Sequence, residues 1–415
     1  MISTGSVSRG LPPDTVVELT YQGLTPIFKG RKSVLCIIPD LTRSSPIDRL
    51  FPAIVDAAYL NNCQIDFLIA LGTHPPLSEQ EISQLVGVNQ DDLRTKYKKI
   101  KIYNHDWKNQ SQLSLAGHLS KDETFELTNG LLDIEIPVLI NRLVGEYDLI
   151  LICGPVFPHE VAGFSGGEKY LFPGISGEEI IHITHWVGAL ATNLDTIGQI
   201  DTPTRRILQK AAQLIDTEIA SMSFCMVQKE LYGIYIGGLR ETWTEAVKLS
   251  SQVNIKYLPK LYKRVLSAPA PMYDELWTAA KAMYKLEPIV AEGGEIILYA
   301  PELAEISKTH GRYIQQTGYH VVDYFRKNWE AYEKFPWAVL AHATYLKGKG
   351  TYENGQESTR IRVHLATAIP EEVCKQMNLA YINPADIHFE EWSSHSDGDR
   401  LLVQNAGEVL YKPVQ

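Results

Sequence analysis

Residues 158–175, PHEVAGFSGGEKYLFPGI, put an imidazole (His159), a glycine-rich turn and an amine (Lys169) in one short stretch, and His182 and His185 follow on a helix-like segment. Gly163, Gly166 and Gly167 tolerate positive φ and let a backbone approach a ligand closely, so Ser165, Gly166 and Gly167 form a candidate cofactor cradle. Lys169 can act as a charge or as a nucleophilic amine, and His159 and His185 as a metal ligand or an acid/base. A phosphate loop needs glycine directly before the lysine and a hydroxyl after it. Here Glu168 intervenes and Tyr170 follows, and no GxGxxG pattern replaces it.

Three further groups could do chemistry. Arg43, in DLTRSSP, can clamp a carboxylate or phosphate with its planar fork. Thr42, Ser44 and the helix start beyond Pro46 make an anion cradle, with Ser44 or Ser45 expected as the helix cap. His74 follows an apolar run within GTH, and general acid/base catalysis by such imidazoles contributes about 10²–10⁴ in rate. His182 and His185 share a helical face, yet neither HExxH nor a cysteine pair completes a zinc set. One of them could make a single metal bond if a cofactor supplied the rest; otherwise His182 is a helix-surface histidine. His105 and Asp106 read as a hydrogen-bonded pair. Trp277, Thr278 and Lys281 lie on one helix: Trp277 in the core and Lys281 solvated, or Lys281 aimed across a cleft at an anionic substrate. His118, His310, His320, His342, His364, His388 and His395 carry no spacing signal.

The elements that must hold these groups alternate between apolar runs and amphipathic segments, which predicts an α/β fold. Strands are expected at 33–39, 64–71 and 146–153, each ending in one of the polar loops. Ligands bind outside the carboxyl ends of such strands, so Asp40 and Arg43, His74, and the 159–169 loop should converge on one sheet edge. A helix is expected from Ser78, with Glu81 closing a capping box. Helices follow at about 204–219 and 240–251, then strands at 258–268, 294–301, 359–366 and 401–411. The polar, glycine-rich 345–359 stretch predicts a mobile loop. The division expected is an N-terminal cofactor-binding and catalytic α/β domain, 1–258, and a C-terminal α/β domain, 259–415, with an interdomain active-site cleft.

Composition narrows the class. The chain has 415 residues, 45% hydrophobic and 21% charged, enough for two or three cored domains. A formal net charge of −10 argues against nucleic acid or an anionic membrane as partner. Five scattered cysteines without a CxxC pair, and an N-terminus without a hydrophobic signal core, predict a reducing cytoplasmic setting. Cys36 and Cys153, inside apolar runs, read as buried thiols.

Taken together, DLTR (40–43), GTHPPLSEQE (72–81), NHDW (104–107), the 158–175 block and His185 resemble the lactate racemase family, with a weaker echo in DELWTAAK (274–281). The resemblance implies an isomerase that racemises or epimerises a small 2-hydroxy acid with a nickel-pincer nucleotide, a Ni(II) pyridinium-3-thioamide-5-thiocarboxylate mononucleotide. It implies that Lys169 tethers that cofactor, that His185 ligates nickel, and that His74 and His159 act as acid/bases. Asp40 matches a residue close to the cofactor, and Arg43 and Lys281 match substrate contacts. Cofactor-synthesis enzymes are then transient partners. Where the family commonly has Tyr-Gln, this chain has Trp277-Thr278, which points to a substrate other than lactate, such as a longer hydroxy acid or an aldonic acid. Two alternatives stay open: a non-catalytic nucleotide- or anion-binding protein on the same scaffold, and a zinc hydrolase, disfavoured by the incomplete ligand set.

Overall fold

The computed structural model describes residues 1–394 and 398–414, so His395 lies outside the described residues. The chain divides into two compact units. The first comprises Met1–Phe157, Phe164–Ile181 and Arg205–Val253, the second Pro158–Gly163, His182–Thr204 and Asn254–Gln415.

The first unit is built on a seven-stranded sheet with the order Ile2–Gly5, Glu230–Gly238, Glu218–Val227, Leu149–Pro155, Ser33–Ile38, Gln64–Ile69, Ile102–Asn104. From Glu218–Val227 to Ile102–Asn104 the strands run parallel. Glu230–Gly238 runs antiparallel to both its neighbours. Ser33–Ile38 and Leu149–Pro155 are almost wholly buried, as expected of apolar runs inside a parallel sheet. Cys36 and Cys153 face each other there as free thiols, Sγ to Sγ 3.5 Å. Helices Pro13–Phe28 and Ile47–Leu60 pack together over one face, where Phe51 meets Phe67 at 4.8 Å between ring centroids.

Chain order reverses direction between Ser33–Ile38 and Leu149–Pro155. Later strands add to one side up to Ile102–Asn104 and then return to the other. Such a switch point is where open α/β sheets bind ligands, and Asp40 follows the first of these strands.

The second unit carries a five-stranded parallel sheet with the order Ala380–Tyr381, Arg362–Thr367, Val290–Ala300, Tyr262–Pro269, Arg400–Ala406. Its switch point lies between the last two, and the segment leaving Tyr262–Pro269 leads to Trp277 and Lys281. Helix Trp337–Lys347 is buried on all sides, so its apolar residues show no single face.

Several expectations need correction. The helix expected over 204–219 stops at Ala212, and strand Glu218–Val227 follows, nearly all of it buried between its neighbours in the sheet. No serine caps Ile47–Leu60: Pro46 holds the N-cap position without a side-chain bond. The stretch expected to be a mobile loop is the end of a buried helix followed by a hairpin, Gly350–Glu353 with Gln356–Thr359. Asn354 (φ 51°) and Gly355 (φ 78°) turn it, the left-handed pair that two-residue hairpins favour. By contrast the Ser78–Glu81 capping box is present in full.

Candidate active site

In the first unit the strand ends bring the expected residues together. His74 Nδ1 donates to Asp40 Oδ2 at 2.5 Å, and Thr42 donates to Asp40 Oδ1 through its backbone amide (3.1 Å) and its hydroxyl (2.7 Å). Asp40 is 5% exposed. Burial acts to raise its pKa, but the charge and hydrogen bond of His74, the Thr42 bond and the charge of Arg43 outweigh it and hold the carboxyl far below the ordinary range. An anionic Asp40 holds the proton on Nδ1, so that when the ring is neutral its lone pair is on Nε2. That is the arrangement of an oriented general base.

The same edge reaches the glycine-rich block. Gly72, at the start of the His74 turn, donates its amide to Gly174 O (2.9 Å), and Gly174 donates to Lys169 O (3.2 Å). Lys169 sits in a single 3₁₀ turn, Gly167–Tyr170, partly exposed between buried Glu168 and Tyr170. Burial raises the Tyr170 pKa, with Arg43 and Asp40 as the charges acting on it, which puts all three within electrostatic reach. Its ring fills the space beside Gly154, where a Cβ would come within 2.1 Å.

The glycines serve packing here. A Cβ on Gly166 would meet Val156 at 2.6 Å, and one on Gly167 the Trp243 ring at 2.9 Å. Both have positive φ, 78° and 60°. The Ser165 hydroxyl donates to Pro155 O (3.1 Å) and accepts from the Phe157 amide (2.9 Å), so it ties the loop to its strand. Beneath lies a cluster that the sequence reading missed. Arg205, 1% exposed, bonds Phe164 O, Gly166 O (3.2 Å) and Glu168 Oε2 (3.1 Å), and stacks on Trp243 at 4.3 Å.

His105 is part of this unit but does not pair with Asp106. Its Nε2 donates to Ser176 O (3.0 Å) and Asn141 donates to its Nδ1 (3.1 Å). Burial pushes its pKa down to about 4.

The second unit holds the other candidates. His159, 4% exposed, accepts the Val161 amide at Nδ1 (3.1 Å), so its neutral ring carries hydrogen on Nε2. Glu160 Oε2 lies 3.6 Å from Nδ1. His182 is not a surface histidine: burial pushes its pKa down to about 4. His185 lies on helix Glu178–Ala191, and its carbonyl accepts the Tyr345 hydroxyl at 3.1 Å. Gly188 makes room for that hydroxyl, since a Cβ there would come within 2.4 Å of it.

Lys281 is 7% exposed and lies over the Tyr273 ring at 5.4 Å. It is therefore not solvated. Trp277 packs against His310 (4.6 Å) and His342 (4.2 Å, planes 13° apart), and His342 Nε2 donates to its carbonyl at 3.1 Å. Thr278 is buried and its hydroxyl donates to Glu275 O (3.2 Å). Burial, with the charges of His310, Lys281 and His185, takes the His342 pKa down to about 3. No sequence signal marked His310 or His342, because both lie far from Trp277 in the chain.

Residues 18–196 match the family model of the lactate racemase N-terminal domain. Over those residues, less than half of the chain, the sequence is similar to lactate racemases. The span includes Asp40, Arg43, His74, His159, Lys169 and His185. The lactate racemase of Thermoanaerobacterium thermosaccharolyticum is 24% identical over 292 residues, 69% of this chain and 63% of its own length. That of Lactiplantibacillus plantarum is 27% identical over 164 residues, 39% of this chain and 34% of its own. The aligned part thus spans less than two thirds of either curated relative. Among solved structures, a Thermotoga maritima protein is 29% identical with a TM-score of 0.89, covering 99% of this chain and 100% of that one. The T. thermosaccharolyticum lactate racemase apoprotein shares the fold, with TM-score 0.74, 19% identity, and 99% and 94% coverage.

Proposed function

We propose that this chain is a racemase or epimerase of a small 2-hydroxy acid. The observation that carries the reading is the Asp40–His74 pair, two backbone hydrogen bonds away from the turn bearing Lys169. A protein that only binds anions has no use for an imidazole oriented by a carboxylate.

The α-hydrogen of such a substrate is poorly acidic because the neighbouring carboxylate is already charged. Removal of that hydrogen as hydride, with proton loss from the hydroxyl, avoids a carbanion. A lysine-tethered nickel-pincer nucleotide, when bound, supplies the reversible hydride acceptor. The donor set fits such a group. His185 would offer one imidazole to the metal, and the cofactor's own atoms would supply the other donors. Sulfur donors with one imidazole suit Ni(II). Lys169 offers the amine for the tether.

The remaining roles fall to the chain itself. His74 Nε2 takes the hydroxyl proton, and Asp40 stabilises the imidazolium that results. Arg43 and Lys281 hold the substrate carboxylate, and His159 serves the opposite enantiomer or epimer. Thr42, Ser165, Gly166 and Gly167 support the cofactor loop, and Trp277 and Thr278 shape the acyl-chain pocket. Partners are the substrate and, transiently, cofactor-synthesis enzymes. Among the described residues no helix is long and apolar enough to cross a membrane.

The test is intact-mass measurement after co-expression with cofactor-synthesis enzymes, followed by polarimetry of single-enantiomer or single-epimer 2-hydroxy acids. Wild type should carry an adduct and nickel, and Lys169→Ala should carry neither. An unmodified wild type, or a Lys169→Ala protein that keeps stoichiometric nickel, refutes the reading.

A further inference from the structure

We propose that Arg205 and Trp243 are positioning residues that aim Lys169. Phe164 O and Gly166 O bond the buried guanidinium, and Ser165 O accepts from Trp243 Nε1 at 2.9 Å. Three successive carbonyls are thus drawn to one side of the loop. A trans peptide is planar, with its N–H antiparallel to the preceding C=O. The amide of Gly167 therefore points away from the guanidinium and that of Gly166 away from the Trp243 indole.

The same cation fixes the side chain that precedes the lysine. Glu168, 4% exposed, pairs with Arg205 at 3.1 Å, while Tyr170 on the other side is wedged against Gly154. In a one-turn 3₁₀ helix successive side chains leave the axis about 120° apart, given three residues per turn. With Glu168 and Tyr170 both anchored inward, the remaining direction belongs to Lys169, the one residue of Gly167–Tyr170 that is not buried. Arg205 is suited to this task, because its planar fork bonds three acceptors while its face rests on the Trp243 ring, 4.3 Å away. Lysine has one donor centre and no flat face, so it cannot replace all of these contacts.

The use made of Lys169 rests on the proposed function, but the test does not need cofactor. The apoprotein is treated with an amine-acylating reagent, and labelling at each lysine is followed by peptide mass spectrometry, with melting temperature measured alongside. In Arg205→Lys and Trp243→Phe, labelling of Lys169 should fall roughly ten-fold, since each lost hydrogen bond to the loop shifts its equilibrium away from the outward-facing amine by about that factor. Exposed Lys98 and Lys99 should be unchanged. Trp243→Phe keeps an aromatic face under Arg205 and decides the matter even if Arg205→Lys fails to fold. Wild-type labelling of Lys169 in the folded variants overturns the proposal, and so does an equal change at every lysine, which would mark a loosened fold. If wild type takes no adduct in the co-expression experiment, the proposed function falls while this result still stands.

Discussion

His74, in a turn of the first unit, and His342, on a helix of the second, each share a hydrogen bond with an oxygen, yet their surroundings differ in kind. His74 is tied to an anionic carboxylate and is 23% exposed at its side chain. His342 is 5% exposed, parallel to an indole, with Tyr284 and Tyr319 rings 6.5 and 5.8 Å away, and its one recorded bond is to a neutral carbonyl. A carboxylate stabilises the imidazolium, whereas an apolar cage opposes it. The same side chain thus sits beside a charge in one unit and among packed rings in the other. His159 stands between them, buried but beside Glu160, with its Nδ1 already accepting an amide.

The largest effect should come from cutting the carboxylate–imidazole pair. Asp40→Asn should lower kcat for 2-hydroxy-acid isomerisation by up to about 10⁴, the loss seen when a triad aspartate is replaced by asparagine. Nickel content should change little, while the melting temperature should fall, because the Asn amide does not replace the anion held by His74 and Thr42. A loss below about ten-fold would remove Asp40 from the role of orienting group. Adding His74→Gln to Asp40→Asn should cost far less than the product of the single effects, since the two act as a unit. His159→Gln should reduce isomerisation by about 10²–10⁴ with nickel still bound, and full activity would exclude it as an acid/base.

Acid titration sharpens the contrast. His105 and His342 have folded pKa values of about 4 and about 3, below the unfolded value of about 6.5. A depressed imidazole binds its proton more readily in the unfolded chain. Stability should therefore fall as pH drops through about 6.5 and keep falling towards 4, by on the order of 3 kcal/mol for one such fully shielded group. Asp40 has the opposite sense: its contribution is complete above the ordinary carboxylate range and is lost only in stronger acid. Denaturant unfolding between pH 7 and pH 4.5 therefore reports the imidazoles, and His342→Phe should flatten the profile. A profile unchanged by that substitution would contradict the caged-neutral reading. The smallest effect is expected from Tyr345→Phe, about 1 kcal/mol of stability for the lost bond to His185 O. A melting temperature equal to wild type would show that this bond contributes nothing.

Much of the site was legible in the chain because its parts are local. The DLTR turn, the GTH turn and the 158–175 block each follow a buried apolar strand, and parallel-sheet chemistry delivers such loops to one edge. The Ser78–Glu81 cap was readable for the same reason, since it needs only four consecutive residues. The Asn354-Gly355 turn carried an equally local signal that composition alone obscured.

Residue type and spacing by themselves determined the alternation of strands and helices, the candidate amine and imidazoles, and the family resemblance. Tertiary structure alone decided which imidazole meets a carboxylate and which meets an indole, and that a buried arginine lies beneath the glycine turn. Asp40 and His74 are 34 positions apart and Glu168 and Arg205 are 37 apart. Trp277 and His342 are 65 apart. Pairings across such distances follow from strand order and burial, which no short-range pattern encodes.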